Sequence, residues 1–169
     1  KLTLNQRRST IAKAIQRLTK TKFYTNLKRR SFLEYFNYRD GELFVEDLSI
    51  SQIRYSVGTP FYCYSQSSIE QSYQQLASAI EGLNLSIYYA IKASSNPAII
   101  KVLADQGAGA DIVSGGELRL ALAAGLSADR IVFAGVGKTR EEMAFALSQG
   151  ILQFNVESPQ EIEVLNSVA

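Results

Sequence analysis

Histidine is absent from all 169 residues. Its absence excludes Ser–His and Cys–His nucleophile pairs, His-ligated zinc and any imidazole proton transfer within this chain. Cysteine occurs once, as Cys63, so there is no intrachain disulfide framework and a reducing compartment is the natural reading. No uninterrupted apolar run approaches the roughly 18 residues of a membrane span. No His/Cys grouping suggests a metal centre. Glycine and proline are not in excess, and the apolar fraction is that of an ordinary folded domain. Chemistry by this chain must draw on lysine, carboxylates, tyrosine, backbone or a cofactor.

Charge is unevenly spread. Residues 1–34 hold ten basic residues and one acid, a net +9; the other 135 hold eight basic and fifteen acidic, a net −7. In the basic head Ile11, Ile15 and Leu18 share a helical face. Three readings remain open for this extension, residues 1–35. It is upstream sequence that is poorly ordered or not natively part of this protein, an organelle transit peptide, or a patch for nucleic acid or an anionic membrane. No aromatic interleaving supports nucleic acid. The cytoplasm is the default location, and an organelle the alternative if the head is a transit peptide. Lys1 at the start and the mid-pattern end at Ala169 lead us to expect a piece of a longer chain.

Asp40–Gly41 signals a turn, and Glu42–Leu48 reads as a strand within a segment spanning 36–58. From Thr59 the chain becomes rhythmic. Apolar runs at Phe61–Tyr64, Ile87–Ala90, Ala110–Val113, Ile131–Phe133 and Gln153–Val156 recur about every two dozen residues, with a helical pattern between them. Asn96 before Pro97 is an N-cap followed by proline at N1. Ser114 with Glu117, Thr139 with Glu142 and Ser158 with Glu161 have capping-box spacing. Gly107, Gly125 and Gly150 mark helix ends. Repeated strand–helix units imply parallel pairing. Pattern alone allows the first part of a (β/α)8 barrel, over 59–169, or a doubly wound sheet.

Lys92 closes the run Ile87–Ala93, at the strand end where parallel βα folds bind ligands. Alternation places it on the face of Tyr88 and Ala90. An apolar strand would desolvate the amine and leave it free to attack an aldehyde. The plain alternative is a lysine that reaches solvent along its stem. Residues 134–139, AGVGKT, imitate the end of a phosphate-binding loop, but the required first glycine is Val132. Lys138 is therefore expected as a rim loop residue and Thr139 as a cap. Cys63, among aromatics, is expected to be buried rather than reactive.

Residues 88–125 contain Tyr89-Ala90-Ile91-Lys92, then Gly107-Ala108-Gly109-Ala110-Asp111, then Ser114-Gly115-Gly116-Glu117-Leu118. This order resembles the pyridoxal-phosphate-dependent, alanine-racemase-like barrel decarboxylases. The GGEL form, TPFYCYS at 59–65 and FNVES at 154–158 are most similar to the branch that decarboxylates diaminopimelate. The resemblance covers roughly 36–169. Ser94 departs from it, because an asparagine is common there.

The resemblance implies an α/β TIM-like barrel that binds pyridoxal 5′-phosphate, preceded by a strand of a β-domain. It implies that Lys92 bonds the cofactor, and later moves protons, while Asp111 sets the electrostatics beside it; strand-end solvation is the plain alternative for Asp111. Glu117 and Ser114 are expected first as capping residues. The substrate would be a small amino acid, meso-diaminopimelate yielding L-lysine, and the enzyme a homodimer. A histidine, a glycine-rich phosphate loop, an acid facing the pyridine nitrogen and a cysteine-bearing segment would lie beyond Ala169, so the chain alone is expected to be inactive. Another basic amino acid or a carboxylated polyamine as substrate, and a truncated non-catalytic paralogue, are the alternatives.

Overall fold

The computed structural model describes residue 13 and residues 35–169. The readings made for the basic head otherwise lie outside the described residues. The chain divides into two compact units, Lys1–Leu85 and Ser86–Ala169.

In the first unit β1 (Phe36–Arg39), β2 (Glu42–Val45) and β3 (Leu48–Ser49) form an antiparallel sheet in that order. Asp40 and Gly41 join β1 to β2 with φ of 50° and 83°. Two successive positive φ values make the tight turn whose twist suits a hairpin, and Asp-Gly is a favoured pair for it. The expected strand Glu42–Leu48 is broken at Glu46, which has φ of 51°. Its N–H donates to the Tyr35 carbonyl at 2.7 Å, and its carboxylate accepts from the Ser65 hydroxyl at 2.6 Å and the Ser67 N–H at 3.1 Å. Three hydrogen bonds thus hold a conformation that a side chain ordinarily avoids. Ser65 also caps α2 (Gln66–Ala79), and a reciprocal Ser49–Gln52 box starts α1 (Ile50–Val57). The expected strand at Phe61–Tyr64 does not form; Tyr62 stands 91% exposed. Its aromatic composition suits a strand, but a strand needs a ladder partner, and none pairs with it among the described residues.

The second unit is an α/β layer. β4 (Tyr88–Ala90), β5 (Gly109–Ile112), β6 (Ile131–Phe133) and β7 (Gln153–Phe154) are parallel and lie in sequence order. The helices α3 (Pro97–Asp105), α4 (Gly115–Ala123), α5 (Arg140–Gln149) and α6 (Pro159–Val168) follow β4, β5, β6 and β7 in turn. Right-handed crossovers through consecutive strands, with no reversal of order, put the connecting helices on one face. Accordingly α3 packs on α4, α4 on α5, and α5 on α6.

That covered face is the core. Ala110, Ile112, Ile131 and Phe133 alternate toward the helices and meet Ile100 and Leu118. Phe133 stacks on Phe154 with ring centroids 5.8 Å apart. Each fully buried aliphatic or aromatic side chain here contributes about 1.5–3 kcal/mol through burial. The opposite face carries Tyr88, Ala90, Gly109, Asp111 and Val132, in register Tyr88–Gly109, Ala90–Asp111 and Asp111–Val132. A Cβ on Gly109 would stand 2.5 Å from the Tyr88 ring and 2.6 Å from the Arg130 carbonyl, so this position has room only for glycine.

Candidate cofactor site

The C-terminal ends of β4–β7 gather the sequence-selected residues. Lys92 does not lie in the strand. β4 stops at Ala90, and Lys92 is the middle residue of a 3-10 turn, Ile91–Ala93. Ile91 is fully buried in the same core against which Tyr89 packs. Lys92 is exposed rather than desolvated. β4 is an edge strand of the described sheet, and no neighbouring strand covers the lysine on its free side. Within these residues Lys92 is a presented amine, not a buried one.

Asp111 sits on β5 beside Ala90, two residues before Lys92 in the adjoining strand. It is half-buried, and its Oδ1 is shielded from solvent with no hydrogen-bond partner among the described residues. A buried carboxylate oxygen without a donor is costly, and such groups usually await a ligand, an ion or water. The register brings Asp111 and the Lys92 turn to one sheet edge, but the two side chains do not bond.

Three glutamates at the third position of successive helices hold the strand-end loops. Ser114, Thr139 and Ser158 each accept from the N–H of the glutamate three residues on, as the spacing predicts. Only Glu142 completes a reciprocal box, accepting from Thr139 N–H at 3.0 Å; its other oxygen accepts from Gly115 N–H, at the start of α4, at 2.8 Å. Those two N–H groups hold the Glu142 carboxyl below the usual range. Glu117 instead reaches back to Val113 N–H at 2.7 Å, and Glu161 to Glu157 N–H at 2.6 Å.

Lys138 corrects another expectation. It is in the loop after β6, but its side chain is fully buried. Nζ donates to Gly135 O, Asn155 O and Glu161 Oε1, each at 2.7 Å, which uses all three of its protons. The hydrogen bond from Lys138 is the largest cause holding the Glu161 carboxyl below its usual range, and the Glu157 N–H adds to it. The clue in the sequence was a lysine just before one N-cap and a glutamate at N3 of the next helix. Their meeting is set by the βα repeat and is invisible to local spacing. Cys63 is half-buried, and burial pushes its thiol up, with the Glu46 charge adding to the effect. That agrees with an unreactive role.

Comparison with known proteins follows the same lines. Residues 66–169 match the family model described as pyridoxal-dependent decarboxylase, pyridoxal binding domain. A diaminopimelate decarboxylase from Aquifex aeolicus (strain VF5) is 48% identical over 140 residues, which is 83% of this chain and 33% of that protein. One from Pseudomonas fluorescens is 53% identical over 130 residues, 77% of this chain and 31% of that protein. Among solved structures, diaminopimelate decarboxylase from M. jannaschii in complex with L-lysine superposes with a TM-score of 0.76 at 33% identity, over 80% of this chain and 32% of that one. The chain thus spans about a third of the length of the relatives it matches. With a parallel βα sheet, a lysine at the end of β4 and the family match over most of its length, the chain belongs to the pyridoxal-dependent decarboxylases, in their pyridoxal binding domain.

Proposed function

We propose that this chain is the lysine-bearing part of a pyridoxal-phosphate-dependent carboxy-lyase that converts meso-2,6-diaminopimelate to L-lysine. The observation that carries the substrate is the identity of 48–53% to diaminopimelate decarboxylases. Arginine and ornithine decarboxylases superpose at only 23% and 21% identity, which speaks for the shared fold and not for their substrates. The consecutive strand order with one-sided helices supports a barrel completed by further βα units, and the small antiparallel sheet supports membership of a separate β-domain. A cytoplasmic homodimer is part of this proposal.

The residues present fit the cofactor. Lys92 offers an accessible amine at the ligand-binding end of the sheet, and Asp111 Oδ1 is an acceptor that lacks a donor. A donor brought with the bound cofactor or an ordered water would meet that acceptor, while the acid facing the pyridine nitrogen is expected beyond Ala169. When bound, pyridoxal phosphate supplies an electron sink for the carbon that loses carbon dioxide. Lys92 would hold the cofactor through its amine, and as a free amine it would be a base able to return a proton. Ala90 and Val132 flank Asp111 on the same face of the sheet.

The experiment is borohydride trapping in the full gene product. Pyridoxal phosphate should be fixed irreversibly on the peptide containing Lys92, and Lys92→Ala should abolish both trapping and carbon dioxide release from diaminopimelate. Trapping at another lysine would refute the assignment. Turnover of ornithine or arginine in preference to diaminopimelate would refute the substrate.

A further inference from the structure

The turn that carries Lys92 is fixed at both ends. On its N-terminal side Ile91 is wholly buried in the core. On its C-terminal side the Tyr89 hydroxyl donates to the Ser94 carbonyl at 3.0 Å, a bond that spans the whole Ile91–Ala93 turn. Tyr89 packs its ring against the same core that receives Ile91. Beyond Ser94 the Asn96 side chain accepts from Ala98 N–H and starts α3. Residues 92 and 93 therefore project from a short loop whose two ends cannot drift independently, although both are exposed.

We propose that Tyr89 is a positioning residue for Lys92: its hydroxyl holds the Ser94 carbonyl, and this sets the direction in which the lysine amine is presented. The proposal rests on the reading of Lys92 as the cofactor-bonding residue and adds a residue that acts on it without touching the cofactor. A flexible four-carbon stem on a loose loop would sample many directions, and fixing the loop raises the share of time spent in the bonding geometry. Tyr89→Phe keeps the ring in the core and removes the hydroxyl, and with it the bond to the Ser94 carbonyl.

The test titrates pyridoxal 5′-phosphate into the cofactor-stripped full gene product and its Tyr89→Phe, Lys92→Ala and Ser49→Ala variants. Condensation of the lysine amine with the aldehyde forms a C=N bond and releases one water. That linkage is followed by its visible absorption and fixed by borohydride for peptide mapping. Tyr89→Phe should weaken the linkage roughly 3- to 10-fold, as loss of one neutral hydrogen bond implies. Ser49→Ala, which removes the cap of α1, serves as a destabilised control and should bind the probe as the unaltered protein does. If Lys92→Ala still forms the linkage, the Lys92 reading falls and this proposal with it. If Lys92→Ala loses the linkage while Tyr89→Phe keeps full affinity, the Tyr89 proposal alone is overturned. Equal losses in Tyr89→Phe and Ser49→Ala also overturn it, because the effect would then be general stability.

Discussion

Replacing Lys138 by methionine tests how the loops after β6 and β7 are held together. The ammonium makes three 2.7 Å hydrogen bonds, to Gly135 O, Asn155 O and Glu161 Oε1, and its side chain has no solvent exposure. Methionine keeps most of the stem and its volume, so little of the loss would come from packing. Two backbone carbonyls and one carboxylate would lose their shared donor. Removing one member of a buried ion pair costs about 3–5 kcal/mol. Glu161 keeps the Glu157 N–H and is 11% exposed, which places the expected cost near the lower end, about 3 kcal/mol. A double-mutant cycle isolates the pair. Because Lys138→Met/Glu161→Met leaves no unpaired carboxylate, it should cost about 2 kcal/mol less than the two single changes added together.

Urea denaturation of the full gene product measures all three variants, and the pH dependence adds a second check. The Glu161 carboxyl is held below its usual range in the folded state, chiefly by Lys138. Its contribution is therefore fully present above the unfolded carboxyl value of about 4.3 and is lost as pH falls through the lower folded value. The stability gap between the unaltered protein and Lys138→Met should be widest at neutral pH and narrow below about pH 4. A cost under about 1 kcal/mol, or additive single changes, would refute the claim that this pair binds the two loops.

Gly109→Ala places a Cβ 2.5 Å from the Tyr88 ring and 2.6 Å from a backbone oxygen. The carbonyl cannot swing aside as a side chain can, so a loss of about 2 kcal/mol is expected in thermal unfolding, and an unchanged midpoint would contradict the packing described. Glu142→Gln keeps one acceptor but loses the charge that two N–H groups stabilise, and should cost about 1 kcal/mol at neutral pH. Its carboxyl is also held low, so that contribution is present above about pH 4.3 and lost as pH falls below it. The variant and the unaltered protein should therefore converge in acid, and a gap that widens there would reject the assignment.

Local chemistry was the legible part of this sequence. Caps, helix-ending glycines, the Asp40–Gly41 hairpin and four of the five expected parallel strands depend on residues close together, and each appears where its spacing placed it. What sequence could not supply was the destination of long side chains. Glu117, Glu142 and Glu161 share one motif, yet one reaches back to Val113, one bridges to Gly115, and one meets a buried ammonium. Lys138 looked like a rim residue because burial of a cation depends on acceptors 17 and 23 residues away. Phe61–Tyr64 had the composition of a strand without a partner to pair with. Glu46 interrupted the expected strand Glu42–Leu48, with its carboxylate taken by Ser65 and Ser67 from farther along the chain.

The two lysines at this end of the sheet show how structure and chemistry part. Lys138 is buried, and every one of its protons has an acceptor, so nothing about it calls for a ligand. Lys92 is exposed, with no ion-pair partner among the described residues, on a turn pinned by Ile91 and Tyr89. The carboxylate nearest in register, Asp111, has a buried oxygen that no described donor satisfies. Proteins keep polar groups satisfied where only stability is at stake and leave them open where a ligand completes them. The glutamate-braced loops around them are satisfied bond by bond, so the unmet acceptor is not the sign of a generally loose region. A rigid, satisfied rim around an unsatisfied carboxylate and a presented amine is the arrangement that a preformed cofactor site requires. Lys92 and Asp111 are where we propose the chemistry to lie, whereas Lys138, for all its burial and charge, belongs to the scaffold.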